Sequence, residues 1–298
     1  MYIFSSLLLY YFLLNYLYFF CLGNNIDNYL VKKKKNFRFY VPTRYGKTCI
    51  FYRKKKNTKK LLLMIPGFGS TLDTFEPYFN DFPDYDLLSL DFYGRGWTNG
   101  IDQKYDINLF INQIFDVLYY CIKCKEYQEI NFIGCSMGCI LTDEFIKKYQ
   151  IYLNKIKINN IVYIAPAGDK IKKPFYSKLL NIRYLNRVLL SIFCPFFLYF
   201  HNKRCYNLTM DYRFLTYIYH HRGYVKGLLS TLSHVNLGDH IYDQKHNILV
   251  ITSKDDRVIK NNFNKFSKCE NHVFDIYGHC ELIEPSKELI YNFLTTKN

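Results

Sequence analysis

The order of apolar and polar positions along the chain predicts alternating strands and helices. Apolar runs that stop at glycine, proline or aspartate are typical of strands buried on both faces of a sheet, and apolar residues at three- and four-residue spacing are typical of amphipathic helices. The predicted strands span residues 37–41, 48–53, 61–65, 87–90, 130–133, 161–165, 248–252 and 273–276, and the predicted helices span 106–124, 140–149 and 285–294. The first two strands flank a turn at Tyr45-Gly46, which predicts a hairpin at a sheet edge. The alternation as a whole predicts an α/β fold with a mostly parallel central sheet and helices on both faces.

The segment Gly134-Cys135-Ser136-Met137-Gly138 lies between a predicted strand and a predicted helix. A sharp turn from strand to helix strains the residue at its centre, and glycines two positions before and after it leave room for close packing. Such a turn raises the serine hydroxyl above the carboxyl edge of the sheet, beside the N–H groups of the helix N-terminus. The pattern predicts that Ser136 is a nucleophile.

A nucleophilic serine needs a general base, and His279 is the histidine that the pattern places at the same edge. It follows Gly278 just after the last predicted strand, on a loop ahead of the closing helix. Other histidines lie in polar stretches, in loops or at the start of a strand, namely His220, His221, His246 and His272. We therefore predict His279 as the base.

The third member of such a site is a carboxylate that holds the imidazole in one tautomer. Asp255 and Asp256 both follow a predicted strand directly, and the residues alone do not choose between them. The chain order serine, aspartate, histidine is the order found in hydrolases built on a parallel sheet of this kind.

These motifs, in this order over residues 37–298, resemble the lipase and esterase group of the α/β-hydrolase superfamily, which includes monoacylglycerol lipases and lysophospholipases. The matching segments are Pro66-Gly67-Phe68-Gly69, Asp91-Phe92-Tyr93-Gly94-Arg95-Gly96, the Gly134 to Gly138 segment, the aspartate after the late strand, and Gly278-His279. In the family the acid stands three residues after a position that is commonly glycine and is Ser253 here. The resemblance therefore selects Asp256.

The resemblance also implies an oxyanion hole made by the backbone N–H groups of Phe68 and Met137. Pro66-Gly67 stands where the family usually has His-Gly, a departure that backbone donors tolerate. The implied chemistry needs no metal and no organic cofactor. Cys121-Ile122-Lys123-Cys124 has the CxxC spacing, but it lies in a predicted helix without a second pair, so we do not expect a metal site there.

A cap over the active site, at about residues 168–243, is a further implication of the resemblance. Between Lys170 and Tyr242 the chain has eleven lysines and arginines against two acids, and it includes the apolar run Val188–Phe200. An aminopeptidase would need carboxylates in the cap to hold a substrate ammonium group. The composition instead favours acyl chains with neutral or anionic headgroups, while the plainer alternative is an apolar cap core with solvated lysines.

Residues 1–23 are predicted as a hydrophobic anchor or signal. The segment Ile3–Leu22 carries no charge and has the roughly 20 residues that cross a bilayer as a helix. A retained signal anchor is favoured over a cleaved signal peptide because the basic n-region is missing, and a structural N-terminal helix is the third alternative. Lys32 to Lys35 follow the segment on its C-terminal side, and positively charged flanks tend to stay in the cytoplasm. Cleavage of the segment would instead give a secreted or lumenal protein.

The formal charge of +15 favours anionic partners such as a phospholipid surface. No recognition motif accompanies the lysines, so nucleic acid is not expected as a partner. The sequence thus predicts a membrane-associated serine hydrolase that cleaves esters of a monoacylglycerol or lysophospholipid through an acyl-enzyme. The alternatives are an acyl-protein thioesterase or acyltransferase with the same three residues, or a non-catalytic lipid-binding member of the fold.

Overall fold

The computed structural model describes residues 2–16, 37–153, 155–168, 223–259 and 263–296, and in them eight strands form one sheet. The strands are β1 (Arg38–Thr43), β2 (Gly46–Arg53), β3 (Lys60–Ile65), β4 (Asp86–Leu90), β5 (Glu129–Cys135), β6 (Lys157–Ile164), β7 (Asn247–Ser253) and β8 (Glu270–Phe274). Their order across the sheet is β1-β2-β4-β3-β5-β6-β7-β8. The β1–β2 and β2–β4 pairs are antiparallel and the other pairs are parallel. The predicted edge hairpin and mostly parallel sheet are confirmed.

The described helices are α1 (Tyr2–Tyr16), α2 (Ile107–Cys124), α3 (Met137–Tyr149), α4 (Tyr224–His234) and α5 (Lys287–Thr296). Short 3-10 helices span Leu72–Tyr78, Gln150–Leu153 and Phe263–Phe266. The Asp106 side chain accepts a hydrogen bond of 2.9 Å from the Leu109 amide, which caps α2 at the predicted residue. α3 begins at Met137, three residues before the predicted start, because the turn at Ser136 leads directly into it.

Two elements differ more from the pattern of apolar residues. β6 begins four residues earlier than predicted, because Lys157 and Ile158 pair with the start of β5; the register then shifts where the Asn160 amide donates to the Asn131 side chain at 2.9 Å. β8 begins three residues before the predicted start and ends two residues before the predicted end; it lies at the sheet edge, where polar Glu270 and Asn271 are exposed. An edge strand with one partner does not need a continuous apolar run.

The two faces of the sheet bury two separate cores, and β3 shows the alternation. Leu61 and Leu63 pack with the apolar faces of α2 and α3, whereas Leu62 and Met64 pack with α5 and the 3-10 helix at Leu72–Tyr78. All four of these side chains are fully buried. This two-sided burial is the reason that the strand reads as an unbroken apolar run.

The structure describes parts of the predicted anchor and cap. α1 has 15 residues, and no described helix combines the length and the apolar composition that crossing a membrane requires. Residues 1 and 17–23 of the predicted anchor lie outside the described residues. So do residues 169–222 of the predicted cap, including the apolar run at 188–200, while α4 falls within the predicted bounds of that cap.

Candidate active site

Ser136 occupies the turn between β5 and α3 in a strained conformation. Its φ is 54° and its ψ is −116°, outside the regions that side-chain-bearing residues favour, at a cost of about 1–3 kcal/mol. The surrounding backbone holds this turn: the Ser136 amide donates to the Ile164 carbonyl at 2.9 Å, and the Ser136 carbonyl accepts from Cys139 at 3.1 Å and Ala167 at 3.2 Å. The side chain is thereby presented at the carboxyl end of β5.

The two glycines that flank this serine are required by close contacts with the neighbouring backbone. A Cβ at Gly138 would lie 2.1 Å from the Ile65 carbonyl oxygen at the end of β3, and a Cβ at Gly134 would lie 2.8 Å from the Cys139 backbone. These distances are shorter than any carbon contact allows. The packing reason that the sequence suggested for both glycines is therefore correct.

Three side chains from distant parts of the chain form one hydrogen-bonded series. The His279 Nε2 atom lies 2.9 Å from the Ser136 Oγ, and the His279 Nδ1 atom lies 2.7 Å from the Asp256 Oδ2. The second carboxylate oxygen of Asp256 accepts hydrogen bonds from the Val258 and Ile259 amides at 2.7 and 2.9 Å. His279 and Asp256 are both buried.

Asp255, the other candidate for the acid, is exposed to solvent, and its amide donates to the Ser253 hydroxyl at 3.3 Å. Of the two adjacent aspartates, the structure brings Asp256 to the imidazole, as the resemblance implied.

The buried pair of imidazole and carboxylate shifts both pKa values. Burial raises the pKa of Asp256, but the facing His279 and the two amide donors outweigh it, so the pKa falls below the ordinary 3.8. Burial lowers the pKa of His279, but the Asp256 carboxylate raises it by more, to about 9. The carboxylate is therefore ionised at neutral pH and stabilises a positive charge on the imidazole.

The predicted oxyanion donors lie in segments that adjoin the serine. The Pro66–Gly69 segment, here called the oxyanion loop, follows β3, and a Cβ on its Gly67 would be 3.1 Å from the Ser136 Cβ. Met137 is the first residue of α3, where helical N–H groups have no partner within the helix. Within the described parts of the chain, neither the Phe68 amide nor the Met137 amide donates to a protein acceptor.

The second resembling segment, Asp91 to Gly96, organises the neighbouring loops. The Asp91 carboxylate accepts hydrogen bonds from the amides of Leu72 and Trp97 at 2.7 and 2.8 Å. Burial raises the pKa of Asp91 to about 7. Asp91 therefore ties the segment at Leu72 to the segment at Trp97.

Arg95, in the same segment, points away from solvent towards α4. It is 1% exposed, and its guanidinium donates to the Thr231 hydroxyl at 2.8 Å and to the Gly227 carbonyl at 3.3 Å. Sequence reasoning missed α4, although Leu228, Leu229 and Leu232 have a helical spacing.

Other residues considered from the sequence lie elsewhere. Cys121 is buried and Cys124 is exposed on α2. His246 directly precedes β7, and His272 lies within β8. His220 and His221 are outside the described residues.

Among the described residues, Asp143, Glu144 and His240 are grouped closely enough to hold a metal ion. The Asp143 carboxylate already binds the Lys147 ammonium at 2.6 Å and the His240 imidazole at 2.7 Å. The group ties the segment after α4 to α3.

Solved structures share this architecture. The carboxylesterase CesB (YbfK) from Bacillus subtilis superposes with a TM-score of 0.63 at 16% identity, over 92% of this chain and 97% of that chain. A membrane phospholipase A described as a bacterial virulence factor superposes with a TM-score of 0.65 at 14% identity, over 87% of this chain and 86% of that chain. The epoxide hydrolase CorEH superposes with a TM-score of 0.67 at 10% identity, over 88% of this chain and 99% of that chain. The chain has the α/β-hydrolase fold. No family model matches the sequence, and no curated protein sequence matches it significantly.

Within this α/β-hydrolase fold, the three predicted side chains meet although Ser136 and His279 lie 143 positions apart along the chain. Each follows a parallel strand at its carboxyl end: β5 leads to the serine, β7 to Asp256 and β8 to the histidine. Parallel strands bring these ends to one edge of the sheet, which is where open α/β sheets bind ligands. The fold therefore accounts for the meeting of residues that the sequence keeps far apart.

Proposed function

We propose that the protein is a serine ester hydrolase that forms an acyl-enzyme. The observation that carries this proposal is the hydrogen-bonded series from Asp256 through His279 to Ser136, with distances of 2.7 and 2.9 Å. A serine held at this distance from a buried imidazole, itself fixed by a carboxylate, is the arrangement that activates a hydroxyl for acyl transfer.

The proposed reaction follows from the atoms that face one another. In the neutral imidazole, the Nδ1–H group of His279 donates a hydrogen bond to the ionised Asp256, which leaves Nε2 free to take the proton of the Ser136 hydroxyl as Oγ attacks the ester carbonyl. The carbonyl oxygen becomes an oxyanion, which the Phe68 and Met137 amides stabilise. The bond to the leaving alcohol breaks, and His279 returns the proton to it. Water then attacks the acyl-enzyme by the same route and releases the carboxylic acid and Ser136.

The proposed substrates are lipid-like esters, a monoacylglycerol or a lysophospholipid. Support comes from the basic composition of residues 170–242, where eleven lysines and arginines stand against two acids. The names of two structurally similar proteins, a carboxylesterase and a membrane phospholipase A, are consistent with an ester of this class. No metal or organic cofactor enters the proposed reaction.

We also propose that the chain associates with an anionic membrane surface through its N-terminal segment. α1 carries no charged residue, and the side chains of Leu7 and Leu9 are 61% and 70% exposed. The net charge of +15 would add attraction to anionic lipid. Flotation with vesicles tests this: Leu9→Asp should weaken binding, whereas Ile151→Asp, at an exposed apolar position elsewhere, should not.

Labelling with a fluorophosphonate tests the reaction itself. The full chain in detergent should gain one adduct by intact mass, and the adduct should be lost in Ser136→Ala and His279→Ala. Ser233→Ala and His272→Ala are matched controls at exposed or partly exposed positions away from the site and should label normally. A folded wild-type protein that gains no adduct would overturn the proposal and favour a lipid-binding role.

A panel of acyl donors separates ester hydrolysis from the related reactions. Monoacylglycerol, lysophospholipid and acyl thioester of equal chain length are compared with and without an added alcohol. Faster cleavage of the oxygen esters with release of free acid is expected. Preference for the thioester would indicate a thioesterase, and capture of the acyl group by the alcohol would indicate an acyltransferase.

A further inference from the structure

We propose that Tyr224 is a positioning residue for the oxyanion loop, so that α4 helps to set the geometry of the reacting centre. This inference rests on the proposed function, because it concerns the alignment of the Phe68 amide in that reaction. It assigns a role to a residue of α4 that neither the motifs nor the three meeting side chains include.

The oxyanion loop touches the nucleophile but contains a residue with unusual conformational freedom. A Cβ on Gly67 would lie 3.1 Å from both the Cys135 carbonyl oxygen and the Ser136 Cβ, so the loop backbone lies directly against the serine. Gly69, two residues later, has a φ of +72°. Glycine reaches this conformation without steric cost and leaves it as easily. The N–H of its last peptide, that of Ser70, donates a long hydrogen bond of 3.3 Å to the Gly67 carbonyl, and a shorter hydrogen bond from outside the loop would fix this peptide further.

Tyr224 supplies that contact. Its hydroxyl donates a hydrogen bond of 2.8 Å to the Gly69 carbonyl, and its side chain is almost fully buried, at 2% exposure. The same face of α4 covers the loop, because a Cβ on Gly69 would lie 3.2 Å from the Leu228 side chain. The first two turns of α4 thus hold the Gly69 peptide in place.

α4 is itself fixed to a second loop of the fold. A Cβ on Gly100 would lie 2.5 Å from the Gly223 Cα, so the backbone before α4 packs directly on the segment after β4. Further along α4, the buried Arg95 guanidinium binds Thr231 and the Gly227 carbonyl. The position of the Tyr224 hydroxyl is consequently set by the body of the protein.

Loss of this hydrogen bond should let the Gly69 peptide rotate and move the Phe68 amide away from the developing oxyanion. The binding of the ground-state ester depends less on that amide, because the negative charge forms only in the transition state. The expected signature is a fall in kcat with little change in KM, which a purely structural contact would not produce.

The test compares Tyr224→Phe with Tyr85→Phe in the full chain. The control also removes one buried tyrosine hydroxyl that donates to a backbone carbonyl, that of Leu294 at 3.1 Å, on the other face of the sheet. The measurements are kcat and KM on a p-nitrophenyl ester, the rate of fluorophosphonate labelling, the melting temperature, and the inhibition constant of a trifluoromethyl ketone, which forms an oxyanion when serine adds to it.

Tyr224→Phe should lower kcat about tenfold and change KM by less than about twofold. It should raise the inhibition constant of the trifluoromethyl ketone by about the same factor by which kcat falls. Tyr85→Phe should leave these values near those of the wild type. The inference is overturned if the two variants behave alike, or if KM rises while kcat is unchanged.

A second variant covers the case in which Tyr224→Phe does not fold. Thr231→Val removes the shorter of the two hydrogen bonds that Arg95 donates to α4 and leaves the one to the Gly227 carbonyl. It should give the same signature at smaller amplitude, and an unchanged kcat with a lowered melting temperature would overturn the inference. If the wild-type protein itself resists labelling, the proposed function fails first, so the two failures are distinguishable.

Discussion

Replacing Asp256 with asparagine tests the orientation of the imidazole with little change in shape. The two carboxylate oxygens of Asp256 have different partners: one accepts from the Val258 and Ile259 amides, and the other accepts from His279. In the variant, the amide oxygen has to face the two backbone donors. The new NH2 group then points at the Nδ1 atom of His279.

An NH2 group at this position can only donate, so Nδ1 must be the unprotonated nitrogen of the ring. The proton moves to Nε2, which then donates to the Ser136 hydroxyl and can no longer accept its proton. A tautomer error of this kind in a serine hydrolase site lowers kcat about 10⁴-fold, which corresponds to roughly 5 kcal/mol of the activation barrier.

The assay is steady-state hydrolysis of a p-nitrophenyl ester, with circular dichroism to confirm the fold. Asp255→Asn is the matched control, since it makes the same replacement of a carboxylate oxygen by an NH2 group at the exposed neighbouring residue. It should keep a rate close to that of the wild type. Equal losses in the two variants, or a fully active Asp256→Asn protein, would refute the assignment of the acid and the reasoning about the tautomer.

Three further predictions concern pH and packing. Because the Asp256 carboxylate raises the pKa of His279 from 6.5 to about 9, kcat/KM should rise with pH along a limb whose midpoint lies above 6.5; a lower midpoint would contradict this pairing. Gly138→Ala places a Cβ against the Ile65 carbonyl and should cost at least about 1–3 kcal/mol in urea unfolding, unlike Gly238→Ala at an open position. Burial raises the pKa of Asp91 from 3.8 to about 7, so the folded state binds its proton more tightly than the unfolded state does. The stabilisation from that proton should be lost as pH rises from about 4 to 7, and the loss should be absent in Asp91→Asn; parallel melting curves for both proteins would oppose it.

The sheet could be predicted well because its central strands are buried on both faces. An unbroken apolar run such as residues 61–65 has few other interpretations in a chain of this length. The pattern failed where burial was partial. β8 includes Glu270 and Asn271 at the edge. The start of β6 is followed by a register shift at which the Asn160 amide donates to the Asn131 side chain, and no periodicity reveals such a shift.

Some residues of the candidate site could be predicted from the local sequence, and others depend on contacts that only the folded chain forms. Ser136 was predictable because the turn that presents it requires glycines at fixed offsets. The choice of Asp256 over Asp255 could not be made from the residues alone, since it depends on which side of one loop faces His279. The contact of Tyr224 with Gly69 joins residues 155 positions apart and depends on the docking of a whole helix. Only the folded chain places such a pair together.

The wide separation of Ser136 and His279 along the chain also bears on the order of events during synthesis. The serine leaves the ribosome 143 residues before the histidine, and the histidine reaches it only after β7 and β8 have joined the edge of the sheet. Until then the serine has no base and is an ordinary alcohol. A nascent chain, or a fragment cut before β8, would therefore carry no hydrolytic activity, and the appearance of activity would report the last step of sheet assembly.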